Sequence, residues 1–211
     1  KLLEYHVANA VKADLEGNIY VTGSFMDTYD FGNTKLTSKG NSDIFITKLD
    51  AAGNYIWAKQ IGSFYDSETG FVLNTDNSND VYVSGWFRGT ADFNPGAGAS
   101  NLTSKGLMDV FLVKLDNSGD FKWAASIEGE LAGDLLHQLV IDGNSIVSVG
   151  RFQGNSNFNP NGSTILQASD TKADIFIQKI SQSNIASIPV LVDAHSIIMY
   201  PNPASEQVTI R

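Results

Sequence analysis

The chain has 211 residues, 42% of them apolar and 18% charged, which is enough for one or two domains with a packed core and offers no low-complexity tract. A net charge of −9 with 14 scattered basic residues argues against nucleic acid or an anionic bilayer surface as partner, since both are held by clustered Lys and Arg. The absence of cysteine excludes a disulfide scaffold, a thiolate zinc site and a cysteine nucleophile, and the apolar runs are far shorter than a membrane span.

Lys1-Leu-Leu-Glu-Tyr5 reads as an outer strand, either left over from a preceding blade or completing the third unit, and with no leader pattern after Lys1 any signal peptide is expected upstream or already removed. Val21-Thr-Gly-Ser-Phe25 then returns as Val83-Ser-Gly-Trp-Phe87 and as Ser148-Val-Gly-Arg-Phe152. Asp43-Ile-Phe-Ile-Thr-Lys-Leu-Asp50 returns as Asp109-Val-Phe-Leu-Val-Lys-Leu-Asp116 and Asp174-Ile-Phe-Ile-Gln-Lys-Ile-Ser181, 66 and then 65 positions on. Tyr55-Ile-Trp-Ala-Lys59 returns once, as Phe121-Lys-Trp-Ala-Ala125, so the third unit is expected to lack a fourth strand. One unit is thus written three times, near residues 7–62, 70–127 and 138–180, and a period of this length marks an array or a propeller.

In the second unit, strands are predicted over residues 70–74, 81–87, 109–115 and 121–127. They are short runs of Val, Ile, Phe and Trp bounded by Gly, Asn, Asp and Ser. Their nearly continuous apolar character fits sheets covered on both faces. The predicted fold class is all-β, a β-propeller of four-stranded antiparallel blades. Asp14-Leu-Glu-Gly-Asn18, Asp50-Ala-Ala-Gly-Asn54, Asp76-Asn-Ser-Asn-Asp80 and Asp116-Asn-Ser-Gly-Asp120 read as tight turns. Asp bonds the backbone two residues on, and Gly or Asn tolerates positive φ. Residues 25–36, 87–102 and 152–166, and the links 61–70 and 127–137, read as long loops gathered on the opposite rim. Within them Phe31, Phe93 and Phe158 recur beside Asp or Asn and are expected to plug each loop onto its blade. Three units fall short of the four to eight blades of a usual ring, so the chain reads as part of a larger propeller or a partial ring completed by another copy.

The core D-x-x-G-N-x-Y-V-T-G-S-F, followed by D-I-F-I-T-K-L-D-x-x-G-N-x-x-W-A-K-x-I-G, resembles the bacterial SBBP beta-propeller repeat family. Residues 14–62 match almost position by position, 76–127 match well and 142–180 more loosely. The resemblance implies a propeller and no particular reaction. Met199-Tyr-Pro-Asn-Pro-Ala-Ser-Glu-Gln-Val-Thr-Ile210 resembles the opening strand of the type A C-terminal sorting domain of type IX secretion in Bacteroidetes. That resemblance implies Tyr200, Pro201, Asn202 and Pro203 as a sorting motif, the type IX machinery as a partner, and a secreted or outer-surface location. On this reading residues 1–180 are the propeller, 181–196 a linker, and 197–211 the truncated start of an Ig-like domain.

His6, His137 and His195 fit no metalloprotease spacing, and neither a G-x-S-x-G elbow nor a Walker loop occurs, so a non-enzymatic protein is expected. Asp76 with Asp80, and Asp27 with Asp30, supply the hard oxygens that calcium prefers; turn geometry explains the same residues without an ion. Trp57 and Trp123 recur at one position and are expected to pack. The copies disagree at Ser24, Trp86 and Arg151, and again at Met26, Arg88 and Gln153. A residue the blade needs should recur, so Trp86, Arg88 and Arg151, with Asp66 and Glu68 beside them, are the candidate contact surface for a glycan or protein at the cell surface. A propeller portion of a larger secreted hydrolase and a subunit of a self-assembling surface array are the alternatives.

Overall fold

In a computed structural model of the chain, residues 6–64, 66–130, 134–159, 165–167, 173–183 and 197–198 are described. Residues 1–5 and the Tyr200 to Pro203 motif lie outside them. The first unit runs β1 (Val7–Ala13), β2 (Ile19–Phe25), β3 (Thr28–Asp30), β4 (Lys35–Thr37), β5 (Asp43–Leu49) and β6 (Tyr55–Ile61). The second repeats it as β7 (Thr69–Thr75), β8 (Val81–Phe87), β9 (Thr90–Asp92), β10 (Asn101–Thr103), β11 (Asp109–Leu115) and β12 (Phe121–Gly129). The third is β13 (Leu135–Asp142), β14 (Ser145–Phe152), β15 (Asn155–Asn157), β16 (Ile165–Gln167), β17 (Asp174–Ser181) and β18 (Ile197–Ile198). Each unit contributes four antiparallel strands, β1-β2-β5-β6, β7-β8-β11-β12 and β13-β14-β17-β18, the second sheet being extended by β15 and β16 of the third unit, which join it along β12; the three are propeller blades packed face to face.

The four strands expected in the second unit appear within two residues of their predicted ends. All four tight turns share one geometry. The leading aspartate accepts backbone N–H bonds from the second and fourth residues after it, as Asp14 does from Glu16 and Asn18 at 2.9 Å each. Asp50, Asp76 and Asp116 repeat the pair. Gly17, Gly53, Asn79 and Gly119 take the left-handed conformation at the fourth turn position, φ 60° to 85°.

The recurring glycine of the V-T-G-S-F string has a steric cause. The innermost strand of every blade bulges, between Ala8 and Ala10, Gly70 and Val72, and Leu136 and Gln138. The bulge pushes its backbone onto Gly23, Gly85 and Gly150, and a Cβ on Gly85 would sit 2.8 Å from the Thr69 carbonyl carbon.

Two expectations are corrected. The links between second and third strands are not plain loops: each folds into a small ribbon, β3 with β4, β9 with β10, β15 with β16. The first two are tied by cross-strand threonine pairs, Thr28 with Thr37 and Thr90 with Thr103, at 2.8 Å. The third unit also has a fourth strand, β18, whose Ile197 and Ile198 pair with β17 although the repeat pattern has lapsed there.

The plug phenylalanines hold these ribbons down. Phe31, Phe93 and Phe158 are each wedged between two blade rings: Phe93 lies 5.2 Å from Phe87 and 4.9 Å from Phe111, centroid to centroid, and Phe158 lies 5.2 Å from Phe152 and 4.8 Å from Phe176. Apolar layers fill both seams. Ile44, Ile46 and Ile61 of blade 1 meet Val81, Val83 and Phe111 of blade 2. Val110, Leu112 and Ile127 of blade 2 meet Leu139, Phe152 and Phe176 of blade 3.

A polar latch closes the tight-turn end of each seam. In blade 2 the Tyr82 hydroxyl lies 2.8 Å from Asp76 Oδ2 and 2.7 Å from Gln182 Oε1, which reaches over from blade 3. Lys114 stands above the Tyr82 ring, 2.9 Å from Asp80, 3.3 Å from Asp76 and 3.2 Å from Gln182. Blade 1 repeats this with Tyr20, Asp14 and Lys48 meeting the Asn117 amide of blade 2. Trp57 adds an indole N–H bond to the Asn117 carbonyl at 3.1 Å, and Trp123 packs edge-on to Tyr82, so both recurrent tryptophans belong to the seams.

Candidate functional site

The side chain after the shared glycine sits at the ribbon rim, on the blade face that looks toward the next blade. In blade 2 this is Trp86, half-buried and paired across the sheet with Val110 and Thr69. Arg88 is exposed one step beyond the strand and lays its guanidinium 5.6 Å from the centre of the Trp86 ring. Asp66 comes up beside them, its carboxylate filling the space that a side chain on Gly89 would need. Trp86, Arg88 and Asp66 therefore share one patch. Arg151 is exposed at the equivalent position of blade 3. The same rim exposes Phe64 at 72% and Leu107 at 71%, which the sequence reading missed because one apolar residue in a polar loop makes no pattern.

Glu68 leaves the predicted surface. It is fully buried, and its carboxylate accepts the Ser63 N–H at 3.2 Å and the Ser63 hydroxyl at 2.6 Å, so it braces the link between blades 1 and 2. Three more buried acids do similar work at this rim. Asp43 accepts the Lys39 and Gly40 N–H groups, Asp109 those of Lys105 and Gly129, and Asp134 the Gln153 N–H and Ser156 hydroxyl. Asp134 occupies in the third unit the place of Glu68 in the second.

Burial pushes the Glu68 carboxyl up to about 7, against the opposing pull of its Ser63 bonds, and it also raises Asp109 and Asp134. The folded chain therefore holds a proton on Glu68 that the unfolded chain, ionising near 4.5, has released. The stability from this group is complete below about pH 4.5 and is lost as pH rises through about 7, a change of about 3 kcal/mol. The melting temperature is expected to fall between pH 5 and pH 8. Glu68→Gln should flatten that fall; a parent-like slope in the variant would remove Glu68 as its source.

The candidate calcium ligands are otherwise engaged. Asp76 and Asp80 hold Lys114 and the turn, and the bonds from Tyr82, Ser78 and Asp80, with the Lys114 charge, keep the Asp76 carboxyl below its usual range despite burial. Asp30 pairs with Lys35 at 3.8 Å, and Asp27 sits at positive φ where its carbonyl accepts the Ser38 N–H. Among the described residues no three acidic or histidine side chains gather as a metal cluster. The apolar cavity between blades 2 and 3, lined by Leu112, Ile127, Leu136 and Phe158, measures about 20 Å³ and holds at most one water.

No family model matches the chain. Over 113 residues it is 28% identical to an uncharacterized WD repeat-containing protein of Acanthamoeba polyphaga mimivirus, covering 46% of this chain and 8% of that protein. Over 138 residues it is 26% identical to the regulatory protein FlaEY of Caulobacter vibrioides, covering 64% of this chain and 14% of that protein. The chain thus spans a small part of the relatives it matches. The WD-repeat likeness and the three blades of four antiparallel strands both fit a β-propeller repeat protein.

Proposed function

We propose that this propeller is a non-enzymatic binding module that grips a protein partner through its ribbon rim, at a patch built on Trp86, Arg88, Phe64 and Leu107. The observation that carries the reading is the Trp86–Arg88 stack, placed where the three copies diverge and left open to solvent on its Arg88 side. Blade positions that recur are consumed by bulges, plugs, turns and latches, whereas this stack serves none of them. Trp and Arg are among the residues most enriched at binding hot spots, and Phe64 and Leu107 add exposed apolar area on the same rim. In keeping with the SBBP-like repeats and the sorting-type tail, the module acts outside the cell, at the surface or after release, delivered by the type IX machinery.

Arg88→Ala and Phe64→Ser each change an exposed side chain, so both should leave the melting temperature within about one degree and weaken partner binding at least about tenfold. Trp86→Ala should weaken binding further and lower stability as well, since Trp86 is half-buried at a seam. Pull-down from an extracellular protein fraction, run beside a glycan array, measures both partner classes. Capture that Arg88→Ala and Phe64→Ser leave intact would overturn the patch, and glycan binding alone would overturn the protein partner.

A further inference from the structure

The link from β6 to β7 carries Phe64 and Asp66 onto the rim patch. No residue of it from Gly62 to Glu68 matches the link from β12 to β13: Ser63, Phe64, Asp66 and Glu68 stand where that link has Gly129, Glu130, Ala132 and Asp134. Two of these differences go together. Ser63 offers the hydroxyl that lies 2.6 Å from the Glu68 carboxyl, and the same oxygen accepts the Asp66 N–H at 3.1 Å. Asp134, one methylene shorter, accepts instead the Ser156 hydroxyl and the Gln153 N–H of blade 3, and its carboxylate leaves no room for a side chain on Gly129. The acid between blades 2 and 3 thus braces a ribbon, whereas Glu68 braces the link that bears the patch.

The two halves of the link are held differently. Asp66 to Glu68 run beside Asn41 and Ser42 of blade 1, with backbone bonds of 3.0 Å from the Asn41 N–H to the Asp66 carbonyl and from the Glu68 N–H to the Ser42 carbonyl. Ser63, next to the exposed Phe64, is fastened through Glu68, which takes both its N–H and its hydroxyl. Glu68 is itself 0% exposed. The charges that weigh most on it are acidic: Asp43 at the head of β5 and Asp66 in the link. Lys39 gives Asp43 a backbone N–H while its side chain is exposed, and Arg88 of blade 2 lies over Trp86. Asp92, whose backbone bridges Gly62, turns its carboxylate to the Asn94 and Ser100 N–H groups. Among the described residues no basic side chain forms an ion pair with Glu68. A carboxylate formed there is buried without an answering cation.

On the reading that the rim patch is the binding surface, we propose that Glu68 is a positioning residue of that patch and its proton switch. The protonated acid fastens the link with Phe64 and Asp66 in place, and ionisation of Glu68 lets the link open and weakens the grip on the partner. Burial brings the Glu68 carboxyl to about 7 while the link is closed, whereas an opened link returns it to water and to its ordinary value of 4.5. The closed link therefore holds the proton more tightly, so the grip is complete in mildly acidic medium and is lost as pH rises through about 7. Opening one short link leaves the blades paired, and local openings of this kind lie below the free energy of global unfolding.

Amide hydrogen exchange on the 211-residue chain reads the link without any partner. Protection of the Ser63 and Asp66 amides, corrected for the intrinsic rate, should fall about tenfold between pH 6 and pH 8. It should stay level in Glu68→Gln, which keeps a neutral group on Ser63. Pull-down from an extracellular protein fraction should recover less partner at pH 8 than at pH 6 with the parent chain, and equal amounts with Glu68→Gln. Ser63→Ala removes the hydroxyl between Glu68 and Asp66 and should loosen the link at both pH values, which keeps the test valid should Glu68→Gln fail to fold. Link amides that exchange no faster at pH 8 than those of β8 and β11 would show that the link opens only with the whole fold, and would overturn the switch. Unchanged protection in Ser63→Ala would do the same. Capture that needs Arg88 and Phe64 but is equally strong at both pH values removes the switch and leaves the patch. Capture indifferent to Arg88→Ala and Phe64→Ser removes the patch, and the switch as its regulator with it, even where exchange follows Glu68.

Discussion

Phe93→Ala is expected to remove about 3–5 kcal/mol of stability, although Phe93 lies in a stretch that reads as loop. The ring is fully buried between Phe87 and Phe111 and belongs to the apolar layer that joins blades 1 and 2. Removing it opens a cavity that the short β9 and β10 strands are too small to collapse into. It also loosens the ribbon, whose remaining ties include three residue pairs, the Thr90–Thr103 hydroxyl pair and the Asp92 bonds to Asn94 and Ser100. Phe158→Ala should cost a similar amount for the same reason, with Phe152 and Phe176 losing their shared neighbour. Urea unfolding followed by tryptophan fluorescence measures both. A loss below about 1 kcal/mol would show that the ribbons stand without their plugs.

Lys114→Met is expected to cost about 3 kcal/mol, because it leaves two carboxylates facing one another at the seam between blades 2 and 3. The Lys114 ammonium is the cation between Asp76 and Asp80, whose side chains are only 16% and 19% exposed, and it also binds the Gln182 amide of the next blade. Tyr82→Phe on the Lys114→Met background should add less than it does alone, since both residues act through the same Asp76 and Gln182 atoms. Fully additive losses would show that the latch is a set of separate bonds. Lys35→Met is the control: its pairing with Asp30 is 3.8 Å long and mostly solvated, so no measurable loss is expected.

Much of the frame was legible from local chemistry. The tight turns could be read because their hydrogen bonds close within five residues, with the same leading aspartate each time and Gly or Asn at the fourth position. The long strands could be read because seven-residue runs rich in Val, Ile, Leu and Phe suit a sheet covered on both sides. The ribbons could not. Thr28–Asp30 and Thr90–Asp92 are three polar-rich residues each, too short for any alternation to show, and their pairing depends on a phenylalanine wedged into a blade made elsewhere in the chain. Ile197 and Ile198 join the third sheet from beyond the repeat pattern, so no internal copy announces them.

The candidate site divides along the same line. Divergence between copies singled out Trp86, Arg88 and Arg151, and the structure stacks the first two together. It could not separate Asp66 from Glu68, two residues apart in one acidic link, of which one meets the patch and the other is buried on Ser63. Nor could it show that the aspartates of the second turn hold a lysine, because Lys114 comes from another strand 38 residues after Asp76.

The sequence by itself determined the repeat, the strands within it, the turn chemistry and the glycine beneath every bulge, because each depends on a few neighbouring residues or on their own recurrence. Only the tertiary structure decided which acids are buried, which phenylalanine anchors which ribbon, and how an amide from one blade locks the tyrosine of another. Those outcomes depend on what lies across a seam, and three nearly identical strings cannot differ in that until the blades are set side by side.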